Sequence, residues 1–250
     1  MIDGGAPVET FEEIDSTVLE ARRRAERGEI GPVWLIARRQ TAGRGRRGRT
    51  WVTIDGNLFA TLLFATSRPP QEIALLSFAT GLAIAETMQG FGARAPATLK
   101  WPNDVLIGGA KAAGILLDSG ALPGGAVTWA ALAFGVNLAG APKAIDQPTI
   151  SLREAMSPDT PTPEPLEFFA ALRPRLEAWA NRLVADGFEP IRQAWLARAY
   201  GLGQTARVMQ GADPISGQFA GLSPRGELEL ETPAGRRLIS AGDVYFSNAA

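Results

Sequence analysis

Between Arg38 and Arg49 the chain carries six arginines and no acid. Four of them lie in AGRGRRGRTW (residues 42 to 51), where Gly43, Gly45 and Gly48 interrupt the run. Glycine lets backbone N–H groups crowd an anion, and arginine adds a planar fork that suits phosphate or carboxylate. A second cluster, LKWPNDVLIGGAKAAGIL (99 to 116), holds Lys100, Asn103, Asp104 and Lys111 around a strand end and a hairpin. The formal net charge of the chain is only −1, so this positive charge is local. The chain has no Cys and no His, which excludes disulfides, thiolate nucleophiles, cysteine-ligated zinc and an imidazole base. Chemistry therefore falls to Lys, Arg, Asp, Glu, Asn, Gln and hydroxyls. The arginine stretch lacks the Gly-Lys-Ser/Thr ending of a Walker loop. Taken alone it also fits a basic solvated turn or an Arg/Gly RNA-binding segment, and WPND alone fits a capped turn. A pI near 5.7 argues against a dedicated nucleic-acid binder.

The surrounding elements must hold these residues in place. At 250 residues and 46% hydrophobic content the chain can bury a sizeable core. DSTVLEARRRAERGE predicts a helix capped by Thr17, with Glu20 completing a capping box and Gly28 closing it. VWLIA (33 to 37) predicts a buried strand that runs straight into the arginine loop. NLFATLLF (57 to 64) predicts a second strand, IALLSFATGLAIAETMQG (73 to 90) an apolar helix, and ATLKW a strand stopped by Pro102. VLI, AAGILLDS and AVTWAALAFGVNL follow at the spacing of antiparallel strands. Leu166, Phe169, Leu172, Leu176, Trp179 and Leu183 form one apolar stripe on a later helix, which Pro174 should kink or divide. PIRQAWLARAYGLG predicts another helix. Beyond Gln204 short strands alternate with glycine turns, the pattern of a small β-barrel. SPDTPTPEP reads as a surface linker. The acidic start of the chain is no signal peptide, and no apolar run approaches the ~20 residues needed to cross a bilayer.

GRGRRGR followed by Trp51, GNL (56 to 58), KWPNDVL (100 to 106), KAAGILL (111 to 117) and FGVNL (134 to 138) resemble, in order and spacing, the motifs of biotin protein ligase. The terminal GDVYF resembles the end of that family's SH3-like barrel. The resemblance implies an α+β fold with a mixed, largely antiparallel central sheet flanked by helices, of the class II aminoacyl-tRNA synthetase and biotin ligase kind. A catalytic domain over 1–202 and an SH3-like barrel over 203–250 are expected. The implied activity is ATP-dependent: biotin becomes biotinyl-5'-AMP and passes to a lysine of a biotin carboxyl carrier protein, with Mg2+ as companion of ATP. A lipoate or other carboxylic-acid ligase shares the fold and the logic, and a non-enzymatic nucleic-acid binder is the alternative from another class. The match begins near Phe11, which leaves ten residues before it, too few for the DNA-binding domain some members carry. The resemblance thus implies the catalytic form, in the cytoplasm, with no DNA or membrane partner. A free edge strand in the central sheet is open to dimer formation or carrier docking.

The resemblance also assigns roles. Ser16, Thr17, Val18, Gln40, Gly43, Arg44, Gly45, Arg46, Lys111 and Gly114 match biotin-side positions. Val18 stands where the family has Asn, so any amide contact from that side chain is lost. Arg46, Arg47, Arg49, Trp51, Asn57, Lys100, Asn103, Lys111 and Asn137 match the ATP side. Trp51 fits a core aromatic equally well, Asn137 a strand-end turn, and Thr17 a helix cap. Arg46, Lys111 and Asp104 are the implied catalytic set, with Asp104 also the one candidate for the metal and for deprotonating the acceptor lysine. The physical logic agrees, because two anions must meet. Like charges ~4 Å apart repel by about 1 kcal/mol in water and about 4 at an effective dielectric of 20.

Overall fold

The computed structural model describes residues 5–122, 128–143, 147–210 and 213–246. The first two residues of the predicted strand AVTWAALAFGVNL, Ala126 and Val127, lie outside them. The first sheet contains β1 (Val8–Ile14), β2 (Val33–Gln40), β3 (Leu58–Thr66), β4 (Ala97–Lys100), β5 (Asp104–Ile107), β6 (Ala110–Ala121) and β7 (Thr128–Val136). Its order is β1-β2-β3-β7-β6-β5-β4. β1 runs parallel to β2 and the remaining pairs are antiparallel, so the sheet is mixed and largely antiparallel as expected. β1 was not expected. Its apolar residues Val8, Phe11 and Ile14 recur every three positions, which hides a strand, and its residues are mostly exposed at the sheet edge.

Helices cover both faces. They are α1 (Thr17–Glu26), α2 (Pro70–Ala74), α3 (Leu76–Gly90), α4 (Leu152–Ala155), α5 (Pro165–Asp186) and α6 (Glu189–Leu196). Alternation along the strands sorts their side chains. Trp34, Ile36, Leu62, Leu132 and Phe134 face the main core with α3, α5 and α6, where Trp34 meets Phe134 and Phe169 edge-on at 5.9 and 5.0 Å. Val33, Leu35, Leu63, Trp129 and Ala131 face the other way, onto Ala21 and Ala25 of α1. A sheet buried on both sides reads as continuous apolar runs, which is why these strands were legible.

Several helix details differ from expectation. The N-cap of α1 is Ser16, and Thr17 is already helical; Glu20 pairs with Arg23 and Arg24 instead of closing a capping box. Gly28, at φ 81°, does turn the chain out of the helix. The predicted helix at 73–90 begins at Pro70 and is assigned as α2 and α3, which meet at Leu75. Taken together Pro70–Gly90 has 21 residues and contains an 18-residue window with a mean hydropathy of 1.2, enough by length and composition to cross a bilayer, contrary to the expectation. Here Thr80 to Ala85 are all buried, packed against the sheet and α5. α5 runs through Pro174 without dividing, and Leu166 is exposed while Phe168 takes its place in the core.

The chain ends in β8 (Thr205–Gln210), β9 (Asp213–Leu222), β10 (Leu228–Thr232), β11 (Gly235–Ile239) and β12 (Asp243–Phe246). They form an antiparallel sheet ordered β11-β10-β9-β8-β12, as a small SH3-like barrel requires. Trp101 Nε1 donates to Gly226 O at 3.0 Å, and Gly226 abuts Phe78 of α3, so this sheet is fastened beside the β4–β5 hairpin.

Candidate active site

Strand register builds the floor of one cleft. Ala37, Phe59, Gly135, Gly114, Asp104 and Lys100 are successive cross-strand partners from β2 to β4, a single row on the α1 face of the sheet. α1 covers the neighbouring part of that face and leaves this part open. A β-bulge on β6 skips Ala112 between the pairs Val105↔Ala113 and Leu106↔Lys111. In a regular strand Lys111 and Gly114, three residues apart, point to opposite faces. The extra residue turns Lys111 onto the face of Gly114. Its Nζ then lies 2.7 Å from Asp104 Oδ1 and 5.4 Å from the centre of the Trp51 ring.

The arginine stretch is a closed loop over this floor. Arg44 bridges Thr50, Gly45 N donates to Arg49 O at 2.7 Å, and Trp51 N donates to Gly43 O at 2.9 Å. Arg46–Gly48 make one 3-10 turn in which Arg47, at φ 55°, takes the left-handed conformation that only glycine adopts freely. Trp51 lies on two glycines. A Cβ at Gly135 would sit 2.5 to 2.8 Å from three atoms of its ring, and one at Gly114 would sit 2.8 Å away. The indole thus rests on bare backbone, and its buried Nε1 has no partner among the described residues.

The N-terminus of α1 forms another wall. The Oγ of fully buried Ser16 has no partner among the described residues, while Thr17 N and Oγ1 donate to Gln40 Oε1 at 2.9 and 3.2 Å. Buried Val18 adds an apolar surface beside them. A carboxamide donor, a hydroxyl and an apolar patch suit a small ligand with a polar end and an apolar body.

Cations dominate the cleft. Arg44, Arg46, Arg49, Lys100 and Lys111 line it against two carboxylates, Asp104 and Asp243. Burial holds the Arg46 guanidinium below its usual range, only partly opposed by Asp243 and Asp104. Arg46 reaches Asn103 Oδ1 at 3.2 Å, and Asn103 Nδ2 anchors to Ile115 O at 2.6 Å. The site is short of negative charge, which a bound anion would supply. Burial also lowers Lys100 from the ordinary 10.5, with Asp104 opposing. For a base with a lowered pKa, the unfolded chain holds more protons, so this group's contribution to stability rises with pH through that window. Function runs the other way, because the cation is lost. We expect affinity for a phosphate-bearing ligand to fall along an alkaline limb lying below 10.5. Lys100→Arg should abolish that limb, since guanidinium stays charged; an unchanged limb in calorimetric titrations across pH would show that Lys100 does not face the phosphates.

Asp243 enters from β12 and joins the two sheets electrostatically. Its carboxylate pairs with Arg47 at 3.1 Å and Arg49 at 2.7 Å, and Tyr245 beside it lies 5.9 Å from Lys100 Nζ. Such half-exposed pairs contribute about 1 kcal/mol, enough to shift a loop equilibrium several-fold. Trypsin should therefore cut after Arg47 and Arg49 several-fold faster in Asp243→Ala than in the wild type. Equal rates would mean that Asp243 does not hold the loop.

Ser16, Thr17, Val18, Gln40, Arg44, Gly45, Arg46, Arg49, Trp51, Lys100, Asn103, Asp104, Lys111, Gly114 and Asn137 all line the cleft, and Gly43, Arg47 and Asn57 do not. Gly43 is where Trp51 O approaches too closely for a side chain, at 2.5 Å from a would-be Cβ. Asn57 Oδ1 accepts from Leu138, Ala139 and Gly140 N at 2.9, 3.0 and 3.2 Å, so it shapes the turn after β7. Asn137, although it lines the cleft, ties Lys111 O and Ile150 O together. Sequence reading missed Phe59, Gly135, Gln147, Thr149, Asp243 and Tyr245, which also line it. Only FGVNL and GDVYF, quoted for their motifs, offered a signal, for Gly135 and for Asp243 and Tyr245.

A cation-lined cleft on an α+β sheet, closed by a Gly/Arg loop, defines a protein that handles small anions. Residues 12–137 match the Biotin/lipoate A/B protein ligase family, and residues 201–247 match the Biotin protein ligase C terminal domain. The chain belongs to the biotin/lipoate A/B protein ligase family. It is 42% identical over 236 residues to a biotin–acetyl-CoA-carboxylase ligase of Paracoccus denitrificans, covering 93% of this chain and 97% of that one. A ligase of the same name from Mycobacterium tuberculosis is 33% identical, with 89% and 82% covered. The solved biotin protein ligase from Aquifex aeolicus in complex with biotin and ATP aligns at a TM-score of 0.78 and 25% identity, over 96% of this chain and 98% of that one.

Proposed function

We propose that the chain is a biotin–protein ligase that activates biotin with ATP to biotinyl-5'-AMP and transfers biotin to one lysine of a biotin carboxyl carrier protein. The observation that carries this reading is the convergence of Arg44, Arg46 and Lys111 with Ser16 and Gln40 in one cleft. The carboxylate of biotin is ionised at neutral pH, so one of its oxygens attacks the α-phosphorus without a general base and pyrophosphate leaves. The protein's part is to hold two anions together, which is positioning and charge stabilisation. Arg46 and Lys111 hold the α-phosphate side; Arg49 and Lys100 stand toward the rest of the nucleotide, while Arg47, outside the cleft lining, holds the loop through Asp243. The acceptor lysine, once its ammonium has lost a proton to solvent or a base, attacks the acyl carbon; the bond from that carbon to AMP breaks, AMP leaves, and the new amide nitrogen releases its second proton to water.

Magnesium fits this site in one way. No group of three or more acidic ligands exists among the described residues, and Asp104 is already paired with Lys111. A magnesium ion bound mainly by nucleotide phosphates, with Asp104 as its one carboxylate, agrees with that donor set and would neutralise phosphate charge. The pairing also commits Asp104 to orienting Lys111. Asp104→Asn should therefore slow adenylation more than transfer from preformed biotinyl-adenylate. A selective loss of transfer would make Asp104 the base for the acceptor lysine.

The division into a catalytic unit at 1–202 and a barrel at 203–250, and work in the cytoplasm, belong to the same reading. So does the use of the exposed β1 edge for a second copy or for the carrier's β-rich domain. The test is transfer itself: a biotin carboxyl carrier domain incubated with protein, ATP and biotin becomes streptavidin-reactive, and the carrier's Lys→Arg variant does not. Labelling with lipoate in place of biotin would move the chain to the other branch of its family.

A further inference from the structure

We infer that Thr61, which does not line the cleft, is a positioning residue for biotin acting through Thr17 and Gln40; this rests on the proposed biotin site. Thr61 is fully buried on β3, and its Oγ1 donates to Thr17 Oγ1 at 2.8 Å. The Thr17 hydroxyl has one proton, which goes to Gln40 Oε1 at 3.2 Å, and Thr17 N donates to the same oxygen at 2.9 Å. A backbone N–H can only donate, so the atom facing it is the carbonyl oxygen of the carboxamide and not its nitrogen. Gln40 Nε2 then faces the other way, beside Gly43, with no acceptor among the described residues, and Gln40 lines the cleft. The relay Thr61, Thr17, Gln40 therefore presents amide donors, never the carbonyl, to whatever acid enters. Removing the first donor frees the Thr17 hydroxyl to turn, and the carboxamide keeps only one of its two fixed partners.

The motifs around Gln40 and Thr17 do not mark Thr61, because it sits within the apolar run LFATLLFAT of β3. Alternation places it on the same face as Phe59 and Leu63, directly behind the start of α1, where a valine would serve packing equally well. The hydroxyl is the anomaly that the relay explains.

The test is steady-state adenylation by Thr61→Val, Thr61→Ala and Thr61→Ser, each also in a Gln40→Ala background. KM for biotin should rise about 5- to 10-fold in both Val and Ala, the range of one buried hydrogen bond. kcat and KM for ATP should stay within about twofold, and Ser should restore the wild-type value. In the Gln40→Ala background, Thr61→Val should add nothing further. Unchanged KM for biotin, an equal rise without Gln40, or a parallel rise in KM for ATP would overturn the relay. A steric effect of the valine methyl would show in Val and not in Ala. If the wild type activates lipoate and not biotin, the biotin reading fails while the same variants still test the relay through KM for lipoate.

Discussion

Lys111→Ala should lower biotin-dependent pyrophosphate exchange by about 10²- to 10³-fold, the effect of removing one fixed charge donor from a closed site. Two causes act in the same direction. The cation that bridges the two reacting anions is gone, and Asp104, whose side chain is 13% exposed, is left with an unpaired charge beside them. The double variant Lys111→Ala/Asp104→Asn separates these: it removes the stranded charge and should regain stability in a thermal melt, yet only a small part of the exchange. Lys111→Arg should rescue little, because the site is cut to a lysine. Lys111 Cε and Nζ lie 3.2 and 3.3 Å from where a Cβ on Gly114 would stand, under the Trp51 ring, and a guanidinium does not fit that gap. Full exchange in Lys111→Ala would remove this residue from the reaction.

Gly135→Ala should be nearly as damaging for a different reason, and the fold should survive it. Gly135 has ordinary strand conformation in β7, where alanine usually stabilises by about 0.5–1 kcal/mol. The added methyl would meet Trp51 Nε1, Cε2 and Cζ2 at 2.5 to 2.8 Å, so the indole must leave its seat and carry the arginine loop with it. A displacement of ~1 Å in a positioning element costs about 10²-fold in rate. The expected pattern is an unchanged or raised melting temperature with exchange reduced by about two orders of magnitude. Trp51→Phe, with a smaller ring over the same glycines, should partly rescue the alanine variant. An active Gly135→Ala enzyme would show that Trp51 can close over the cleft from another position, and the account of the two-glycine seat would be wrong.

These two residues also show how much of the site a reader of the sequence can reach. Lys111 was legible, because its motif carries the chemistry in its residue types. What the sequence hid was how Lys111 comes to face the cleft, since a one-residue bulge leaves no compositional trace. Gly135 lies within FGVNL without standing out, because a strand glycine becomes meaningful only when the register sets it opposite Gly114 and beneath an indole from a distant loop. Asp243 is further removed still, almost two hundred positions from the arginines it holds, and only the docking of the second sheet joins them. The fold was easier. Strands buried on both faces and an apolar helical stripe announce themselves, whereas β1, exposed at an edge with its charged residues paired to α1 and β2, reads as an acidic tail. The cap of α1 moved by one residue for a related reason: Ser16 and Thr17 are both capping residue types, and Ser the better of the two. Only the fold shows Thr17 turned to Gln40.

This cleft is built to join a biotin carboxylate to the α-phosphate of ATP, and isotope exchange between pyrophosphate and ATP measures that step alone. The wild-type protein with ATP and magnesium should show exchange that is absent without an acid, strong with biotin and weak with lipoate. Exchange driven by lipoate and not biotin, or none with either acid, would contradict it.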